Sequence, residues 1–334
     1  MSVPLREKIA VASHVLLNRL RRVEKFPIVL QIEPLFRCNL ACAGCGKIQH
    51  PEEILRRMLT PEQCFAASAE CGAPVVSIAG GEPLIHPQIA EIAQGLLDRG
   101  KIVYLCTNAI LLEKRLDQFR PDPGFSFNVH LDGDEAHHDT SVQRAGVYRA
   151  AVSALRAAKA RGFRVTVNCT VFAGHAPEDL HRFFDDMTAL GVDGIMTAPG
   201  FAYEKAPDQD HFMARRETQA LFREVLGPAR ERGWTFNHSP FYLDFLQGRV
   251  DYQCTPWGSP NFGVFGWQRP CYLFSDGYAR TFRELMETTD WDRYGTGRHP
   301  KCANCMMHCG YEPTAVADGM ATAGNVLRSI RSAL

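Results

Sequence analysis

The spacing of apolar and polar residues divides this chain into three parts. Between residues 27 and about 200, short apolar runs alternate with stretches of helical periodicity. The apolar runs, each typical of a buried strand, cover residues 28–32, 75–79, 101–106, 125–131, 165–171 and 194–198. The main helical stretches between them cover residues 61–71, 87–99, 147–161 and 177–190. Six such strand–helix units predict a parallel sheet with right-handed crossovers.

Six units are better suited to an open, partial TIM barrel of the α/β class than to a closed barrel of eight. The active site of such a barrel lies at the carboxyl ends of its strands. After residue 200 the pattern changes to one helix, at about residues 215–232, and an irregular segment rich in Pro, Gly and aromatic residues, 242–278. We therefore predict three domains: a helix at 1–26, the barrel at 27–200, and a helical, cysteine-rich extension at 201–334.

The first of these domains predicts a basic amphipathic helix over residues 4–25. Its apolar residues recur every three or four positions, at Leu5, Ile9, Ala12, Leu16 and Leu20. Two interpretations stay open: the helix packs on the floor of the barrel, or its apolar face docks on a membrane surface.

Composition narrows the function classes. The 334 residues include 37 Lys plus Arg and 37 Asp plus Glu, so no overall positive charge favours nucleic acid. We find no apolar run of roughly 18 residues and no secretory leader, so we expect a cytoplasmic location. Twelve cysteines, six of them in two tight groups, indicate metal binding more than a disulfide framework.

The first cysteine group follows the first predicted strand. Cys38, Cys42 and Cys45 have Cys-x3-Cys-x2-Cys spacing. A [4Fe–4S] cluster normally has four ligand sites, so three thiolates on one loop leave one iron open to a small chelating ligand. A structural zinc site is the alternative, but zinc favours four protein ligands, commonly in Cys-x2-Cys pairs.

This motif, with AGGEP at residues 79–83, resembles the radical S-adenosylmethionine (SAM) superfamily. The resemblance implies that SAM binds the open iron and is cleaved by one electron to methionine and a 5′-deoxyadenosyl radical. The residue before the third cysteine, often aromatic in the superfamily, is Gly44 here. Glu82 is expected to accept hydrogen bonds from the methionine ammonium group. The residues that the resemblance assigns to SAM are Gly80, Gly81, Glu82, Pro83, Asn108, His130 and Asn168.

Strand parity places further residues in the lumen, because alternate side chains of a strand share a face. Polar residues occupy one face of three successive strands, around Asn108, His130 and Asn168. His130 stands where many superfamily members have Ser. Cys106 shares the face of Asn108, and its thiol is either a hydrogen-atom donor to a substrate radical or a small filler of the lumen.

The second cysteine group resembles the SPASM- and twitch-type extensions of radical SAM enzymes. The implied ligands of an auxiliary iron–sulfur cluster are Cys271, Cys302, Cys305 and Cys309. Cys254 is an alternative ligand, and a zinc site that uses His308 is the competing interpretation. The fold implied by both resemblances is a partial (β/α)6 TIM barrel of the radical SAM type with a SPASM- or twitch-like extension.

Longer stretches resemble the hopanoid-biosynthesis radical SAM enzymes, the adenosylhopane synthase family. They cover residues 33–48, 71–86, 104–109, 129–133, 206–212, 254–260, 264–273 and 301–316. The resemblance implies addition of the 5′-deoxyadenosyl radical to the terminal alkene of the hopene diploptene. It also implies a triterpene substrate delivered from a membrane, an electron donor such as flavodoxin or ferredoxin, and a peripheral location on the inner face of the cytoplasmic membrane.

Two points stay open. Six aromatic residues of the third part either line the substrate pocket or form ordinary core: Tyr242, Phe245, Trp257, Phe262, Phe265 and Trp267. The alternative activity is radical hydrogen abstraction from a peptide or another substrate. A non-enzymatic iron–sulfur electron carrier explains the cysteines, but not the GGEP sequence or the polar face of the barrel.

Overall fold

A computed structural model describes residues 3–274 and 276–331. The remaining residues of the predicted domains at 1–26 and 201–334 lie outside the described part of the chain. Six parallel strands form the main sheet, and each pairs with the next along the chain. These strands are β1 (Val29–Glu33), β2 (Val75–Ile78), β3 (Ile102–Thr107), β4 (Phe125–His130), β5 (Arg164–Val171) and β6 (Gly194–Pro199).

Thirteen helices are found in the described ranges, and those that connect β1 to β6 cover the outer face of the sheet. In chain order they are α1 (Leu5–Leu20), α2 (Glu52–Leu55), α3 (Pro61–Cys71), α4 (Ile89–Asp98), α5 (Leu112–Arg115), α6 (Glu135–Ser141), α7 (Val147–Ala160), α8 (Pro177–Ala189), α9 (Arg215–Leu226), α10 (Pro240–Leu246), α11 (Phe282–Thr288), α12 (His308–Gly319) and α13 (Ala323–Arg331). The α/β partial barrel is thus confirmed.

Local sequence explains where the helices begin and end. Helix α3 begins with a capping box, in which the Thr60 hydroxyl accepts from the Gln63 amide and the Gln63 side chain accepts in return. It ends at Gly72, whose left-handed φ of 71° costs glycine little. Helix α9 ends at Leu226, six residues before the predicted end, because Pro228 lacks the N–H that continues a helix.

The segment expected to be irregular contains regular structure. Helix α10 lies within it, and strand β7 (Asn261–Gly263) pairs in parallel with β1. Strands β8 (Gly266–Gln268) and β9 (Tyr278–Ala279) then add antiparallel pairs, which extends the sheet beyond β1. Strands of two or three residues carry too few alternating positions to be visible in the sequence pattern.

The aromatic residues of this segment are core and do not line the lumen. Tyr242, Phe245 and Trp267 are fully buried in the main hydrophobic core. Trp257, Phe262 and Phe265 pack against the same core and are partly buried. None of the six is among the described residues on the lumen wall, so the pocket interpretation of these aromatics is wrong.

Helix α1 lies across the floor of the barrel, at the amino ends of the strands. Ala10 and Val11 pack against the buried residues Val75, Ile102 and Tyr104. Four residues of the apolar stripe are exposed instead: Leu5, Ile9, Leu16 and Leu20. Among the described helices, none combines the length and apolar character needed to cross a bilayer.

Candidate active site

The barrel surrounds a lumen of about 980 Å³ that reaches from the carboxyl ends of the strands to helix α1. Strand parity placed polar side chains in this lumen, and most of them lie on its wall. Cys169, on the opposite face of β5, is buried in the core. The wall includes these polar residues from β3, β4 and β5 and from the positions just after them: Tyr104, Cys106, Asn108, Asn128, His130, Asp132, Asn168 and Thr170.

The three cysteines of the loop after β1 also lie on the lumen wall. Cys45 donates its backbone N–H to the Cys42 carbonyl at 3.1 Å, which closes the loop. Burial raises the pKa of the Cys38 thiol to about 11, and burial beside Cys45 raises the pKa of Cys42 further. Metal ions bind cysteine as the thiolate, so thiols with raised pKa values such as these two ionise when a cation neutralises them, and an iron–sulfur cluster supplies that charge. The loop therefore fits a cluster.

The glycines of the GGEP segment pack the end of β2 against the cysteine loop. Gly80 has a φ of 111°, and a Cβ there would collide with the Leu35 carbonyl. A Cβ on Gly81 would collide with the Arg37 carbonyl. Both glycines line the lumen, whereas Pro83 is buried behind the wall and starts a short turn.

Glu82 links three segments beneath the site. Its carboxylate accepts from the Thr107 hydroxyl at 2.8 Å, from the Asn108 backbone N–H at 2.9 Å and from the Leu84 backbone N–H at 2.9 Å. Burial raises the pKa of Glu82, although these hydrogen bonds and Arg115 oppose the rise. The sequence pointed to a direct contact with the methionine ammonium, and the structure adds a positioning role for the same carboxylate.

The Asn108 side chain is held beside the cysteine loop. Its amide nitrogen donates to the Asn39 side chain at 2.7 Å and lies 3.9 Å from the Cys38 sulfur. Its amide oxygen accepts from the Ile110 backbone N–H at 3.1 Å. Asn168 lies on the wall of the same lumen, opposite His130 in the strand register.

His130, which is partly buried, forms an ion pair with the buried Asp132 that the sequence did not reveal. Its Nε2 lies 2.9 Å from an Asp132 carboxylate oxygen, and the other oxygen accepts from the Thr170 N–H at 2.8 Å. Burial disfavours the charged imidazole, but the Asp132 carboxylate outweighs it and raises the pKa of His130. Burial likewise disfavours the Asp132 carboxylate, yet His130 lowers its pKa. The polar alternation of β4 carried the signal for Asp132, two residues after His130.

Cys106 is a lumen thiol with defined partners. Its sulfur lies 3.5 Å from the Ser77 hydroxyl and accepts from the Asn128 amide at 3.6 Å. The Asn128 amide is oriented by Thr166, which donates to its oxygen at 3.0 Å. Burial raises the pKa of Cys106, so it carries its proton at neutral pH.

The C-terminal cysteines converge on a second, nearly closed cavity. It has a volume of about 20 Å³, and its wall includes all five candidate thiols: Cys254, Cys271, Cys302, Cys305 and Cys309. Burial, together with the other thiols, raises the pKa of Cys254 and of Cys309. Five thiols in one cavity fit an auxiliary cluster and leave one more sulfur than a cluster of four sites needs.

The zinc alternative fits these positions less well. His308 lies on the wall of the lumen and is absent from the described wall of the cysteine cavity. Among the residues that the structure describes, no group of three or more His, Cys, Asp or Glu side chains is arranged to hold one metal ion. A cluster spaces its ligands more widely, because each thiolate binds a different iron.

Lys47 and two tyrosines lie near both cysteine groups, and the sequence analysis did not predict them. Lys47 donates to the Tyr272 carbonyl at 2.7 Å and pairs with Glu33 at 3.1 Å. The hydroxyl of Tyr203 donates to that of Tyr272 at 2.8 Å. All four residues line the lumen. Lys47 and Tyr272 are 225 residues apart in the sequence, so no local pattern predicts their contact.

Two family models match the chain. Residues 32–187 match the radical SAM superfamily. The chain carries a radical SAM domain. Residues 195–329 match a domain of unknown function, DUF3463. The radical SAM match implies a [4Fe–4S] cluster and the use of SAM. Cys38, Cys42 and Cys45 are the residues that would hold this cluster, and the extra C-terminal cysteines fit an auxiliary cluster.

Similar curated proteins carry out different reactions. The GTP 3′,8-cyclase of Aquifex aeolicus (strain VF5) is 31% identical over 189 residues, which is 52% of this chain and 57% of that protein. The pre-heme d1 synthase of Dinoroseobacter shibae (strain DSM 16493 / NCIMB 14021 / DFL 12) is 26% identical over 206 residues, 59% of this chain and 50% of that protein. The chain thus spans about half the length of these relatives.

Solved structures share the fold at low identity. Streptococcus suis SuiB bound to the precursor peptide SuiA aligns with a TM-score of 0.61 and 15% identity, over 76% of this chain and 61% of SuiB. The structure of anSMEcpe with bound AdoMet aligns with a TM-score of 0.60 and 15% identity, over 92% of this chain and 100% of that chain. These alignments support the barrel with its C-terminal extension.

Proposed function

We propose that this enzyme adds the 5′-deoxyadenosyl group of SAM to the terminal alkene of diploptene, a C30 hydrocarbon, to form adenosylhopane. The observation that carries the proposal is the position of a thiol, Cys106, on the lumen wall. Along β3 it lies between Asn108, beside the cysteine loop, and Tyr104, which contacts helix α1 at the floor. A hydrogen donor at this depth suits a radical formed on an acceptor that fills the lumen below SAM.

The charges of the lumen favour a neutral acceptor. Its described wall carries five carboxylates and two ammonium groups and no guanidinium: Glu7, Glu33, Glu82, Asp132, Glu312, Lys8 and Lys47. A nucleoside triphosphate or a carboxylated tetrapyrrole would find few cationic side chains there that are not already paired with a carboxylate. Lys47 is moreover paired with Glu33. A hydrocarbon makes no demand on cationic side chains.

The size of the lumen supports a large acceptor beside SAM. Ligand pockets commonly measure about 300–1,000 Å³, so about 980 Å³ is at the upper end of that range. At about 0.8 kcal/mol for each buried carbon, the transfer of a C30 hydrocarbon from water to an apolar phase is favourable by on the order of 20 kcal/mol. Such a substrate reaches the enzyme from another apolar phase, and its recognition depends on shape.

The proposed reaction balances in three parts. When bound, the cluster at Cys38, Cys42 and Cys45 supplies the electron that cleaves SAM to methionine and the 5′-deoxyadenosyl radical. This radical adds to the terminal CH2 of the alkene, forming a carbon–carbon bond and a tertiary carbon radical. The Cys106 S–H bond then breaks homolytically, its hydrogen atom completes the product, and one electron and one proton from a donor restore the thiol.

The surroundings of Cys106 suit this hydrogen transfer. Asn128 donates to the sulfur, so the S–H proton is free to point to the Ser77 hydroxyl or into the lumen. The raised pKa keeps the thiol neutral, and a neutral S–H is the form that donates a hydrogen atom. The negative charge of the Glu82 carboxylate also disfavours ionisation of the Cys106 sulfur.

A Cys106→Ala enzyme tests the role of the thiol. We expect SAM cleavage to continue while adenosylhopane formation falls at least about a hundredfold, comparable to removal of a catalytic proton donor. Cys169→Ala, which removes a buried thiol from the opposite face of the sheet, is the matched control. In D2O the parent enzyme should place one deuterium on the quenched carbon. Normal product formation by Cys106→Ala would contradict the role.

The second candidate is hydrogen abstraction from a peptide. It is favoured by the shared fold of SuiB, solved with its precursor peptide, and of anSMEcpe, solved with bound peptides. This activity would release 5′-deoxyadenosine and leave no adenosyl group in the product. Incubation with SAM, reductant and either diploptene or a peptide library, followed by mass spectrometry, distinguishes the two candidates.

A further inference from the structure

Most of the apolar stripe of helix α1 is exposed, and the first residues of the stripe also border the lumen. Leu5, Ile9, Leu16 and Leu20 are 69%, 57%, 56% and 73% exposed. In the part of the chain that the structure describes, nine large hydrophobic side chains are exposed, and Met58 is the one that lies elsewhere. The other eight form what we name the floor patch: Leu5, Ile9, Leu16, Leu17, Leu20 and Val23 with Val326 and Leu327 of α13. Such a concentration marks an interaction surface.

Polar contacts on the inner side of α1 fix this orientation. The Tyr104 hydroxyl donates to the Glu7 carboxylate at 2.6 Å, and His14 Nε2 lies 2.9 Å from the Pro27 carbonyl. The Arg19 guanidinium donates to the Ala317 and Met320 carbonyls, at 2.9 and 3.1 Å, where α12 ends. The helix is therefore already packed on the barrel, and these contacts leave its leucines exposed.

The lumen opens to the surface at the floor patch. Leu5, Ile9 and Val326 each lie on the lumen wall and are each at least 40% exposed. A path therefore leads from these side chains, past Tyr104, to Cys106. This opening is at the opposite end of the barrel from the cysteine loop.

Charge indicates what covers the floor patch. Arg21, Arg22 and Lys25 are exposed where α1 ends, and the acidic Glu7 is turned inward, so Glu24 is the single exposed acid of residues 3–25. A second copy of the chain would bring these cations against each other. An anionic lipid surface meets both the apolar and the cationic groups.

The geometry points to the floor patch as a docking surface for an anionic bilayer, with the adjacent opening as the route by which an apolar substrate enters the lumen. The docking surface stands on the structure alone, whereas the route rests on the proposed function. The substrate moves from acyl chains into an apolar opening without crossing water, and SAM occupies the opposite end of the lumen. Two substrates of opposite polarity thereby use opposite ends of one barrel.

Flotation of the full-length enzyme with vesicles tests the docking surface. We expect binding to vesicles of phosphatidylcholine with phosphatidylglycerol, and weak binding to phosphatidylcholine alone. Leu16→Gln/Leu20→Gln, whose side chains are exposed and lie off the described lumen wall, should weaken binding at least about tenfold. Met58→Gln is the matched control, an exposed hydrophobic residue away from the floor patch, and should bind as the parent does.

Brominated lipids report the orientation. The fluorescence of Trp introduced as Leu16→Trp should be quenched by lipid bromine, and that of Met58→Trp should not. Equal flotation of all variants would overturn the inference. So would a parent enzyme that does not bind vesicles but forms, in lipid-free ultracentrifugation, a dimer that Leu16→Gln/Leu20→Gln dissociates. Neither measurement needs turnover, so failure here leaves SAM cleavage and adenosyl transfer untouched, and the converse also holds.

Discussion

The two cysteine groups hold their thiols in opposite ways. The group in the barrel supplies three thiols from eight consecutive residues, 38–45, on the wall of a lumen of about 980 Å³. The C-terminal group gathers five thiols from distant segments around a cavity of about 20 Å³. Catalytic metal centres keep one position open, and structural centres are closed. The difference fits substrate binding at the first group and a structural or electron-transfer role for the second.

We call the barrel cysteines Cys38, Cys42 and Cys45 the open group, and the five C-terminal cysteines around the small cavity the closed group. Removing a thiol of the open group should have the largest effect. Cys42→Ala leaves too few ligands to hold the cluster in the lumen, so SAM cleavage should fall below detection and about half of the bound iron should be lost. Iron and sulfide analysis with an assay for 5′-deoxyadenosine measures both. Cys64→Ala, a buried thiol outside both groups, is the control. Retained SAM cleavage in Cys42→Ala would remove the distinction between the groups.

Removing a thiol of the closed group should separate stability from SAM binding. Cys305→Ala should lose the other half of the iron and unfold at a temperature several degrees lower, because metal binding there is coupled to folding. The spectroscopic shift that SAM causes in the remaining cluster should persist. If that shift disappears while the iron of the barrel cluster stays bound, the two centres are not independent.

The fifth thiol of the closed group sharpens the comparison. Four ligands complete a cluster, so one of five single Cys→Ala substitutions should leave the iron content unchanged. Cys254 and Cys271 stand outside the tight Cys302–Cys305–Cys309 group, and we expect the spare thiol to be one of these two. Absorption and Mössbauer spectra of the five variants identify it. Loss of the cluster in all five would mean that the closed group binds more than four irons or uses all five thiols.

The His130–Asp132 pair near the open group should give the smallest effect, with a pH dependence. The raised pKa of His130 means that its contribution to stability is full below its ordinary pKa of 6.5 and is lost as the pH rises through the higher folded value. The lowered pKa of Asp132 means that its contribution is lost only as the pH falls below about its ordinary value of 3.8.

His130→Asn should therefore lower the melting temperature more at pH 6 than at pH 9. Each kcal/mol of folding free energy lost with the ion pair corresponds to a decrease of roughly 2–4 °C. Differential scanning calorimetry at both pH values measures the change. His181→Asn, on the outer surface, should show no such difference. An equal effect of His130→Asn at both pH values would show that the ion pair is energetically silent.

Much of the barrel could be predicted because strands and motifs are local. The six apolar runs became β1 to β6 with ends shifted by no more than one residue, and parity placed Asn128 and His130 on the lumen wall. Parity fixes the face of a side chain but not its partner. The pairing of His130 with Asp132 and the enclosure of Cys106 by Ser77 and Asn128 depend on how neighbouring strands align.

The third part of the chain was less predictable for a physical reason. Short strands such as β7 are stabilised by pairing with β1, which is more than 220 residues away, and not by their own pattern. Aromatic residues such as Tyr242 and Trp267 stabilise a core as well as they line a pocket, so composition does not decide between the two. Amphipathicity identified helix α1, but it did not reveal that most of its apolar stripe is exposed.

The fate of the radical formed at the open group decides between adenosyl transfer and hydrogen abstraction. Reconstituted enzyme, incubated without oxygen with SAM, reductant and diploptene, should yield a product whose mass is that of the alkene plus the adenosyl group plus one hydrogen. SAM and alkene should be consumed in equal amounts. Release of 5′-deoxyadenosine with the alkene unchanged would contradict radical addition and favour hydrogen abstraction.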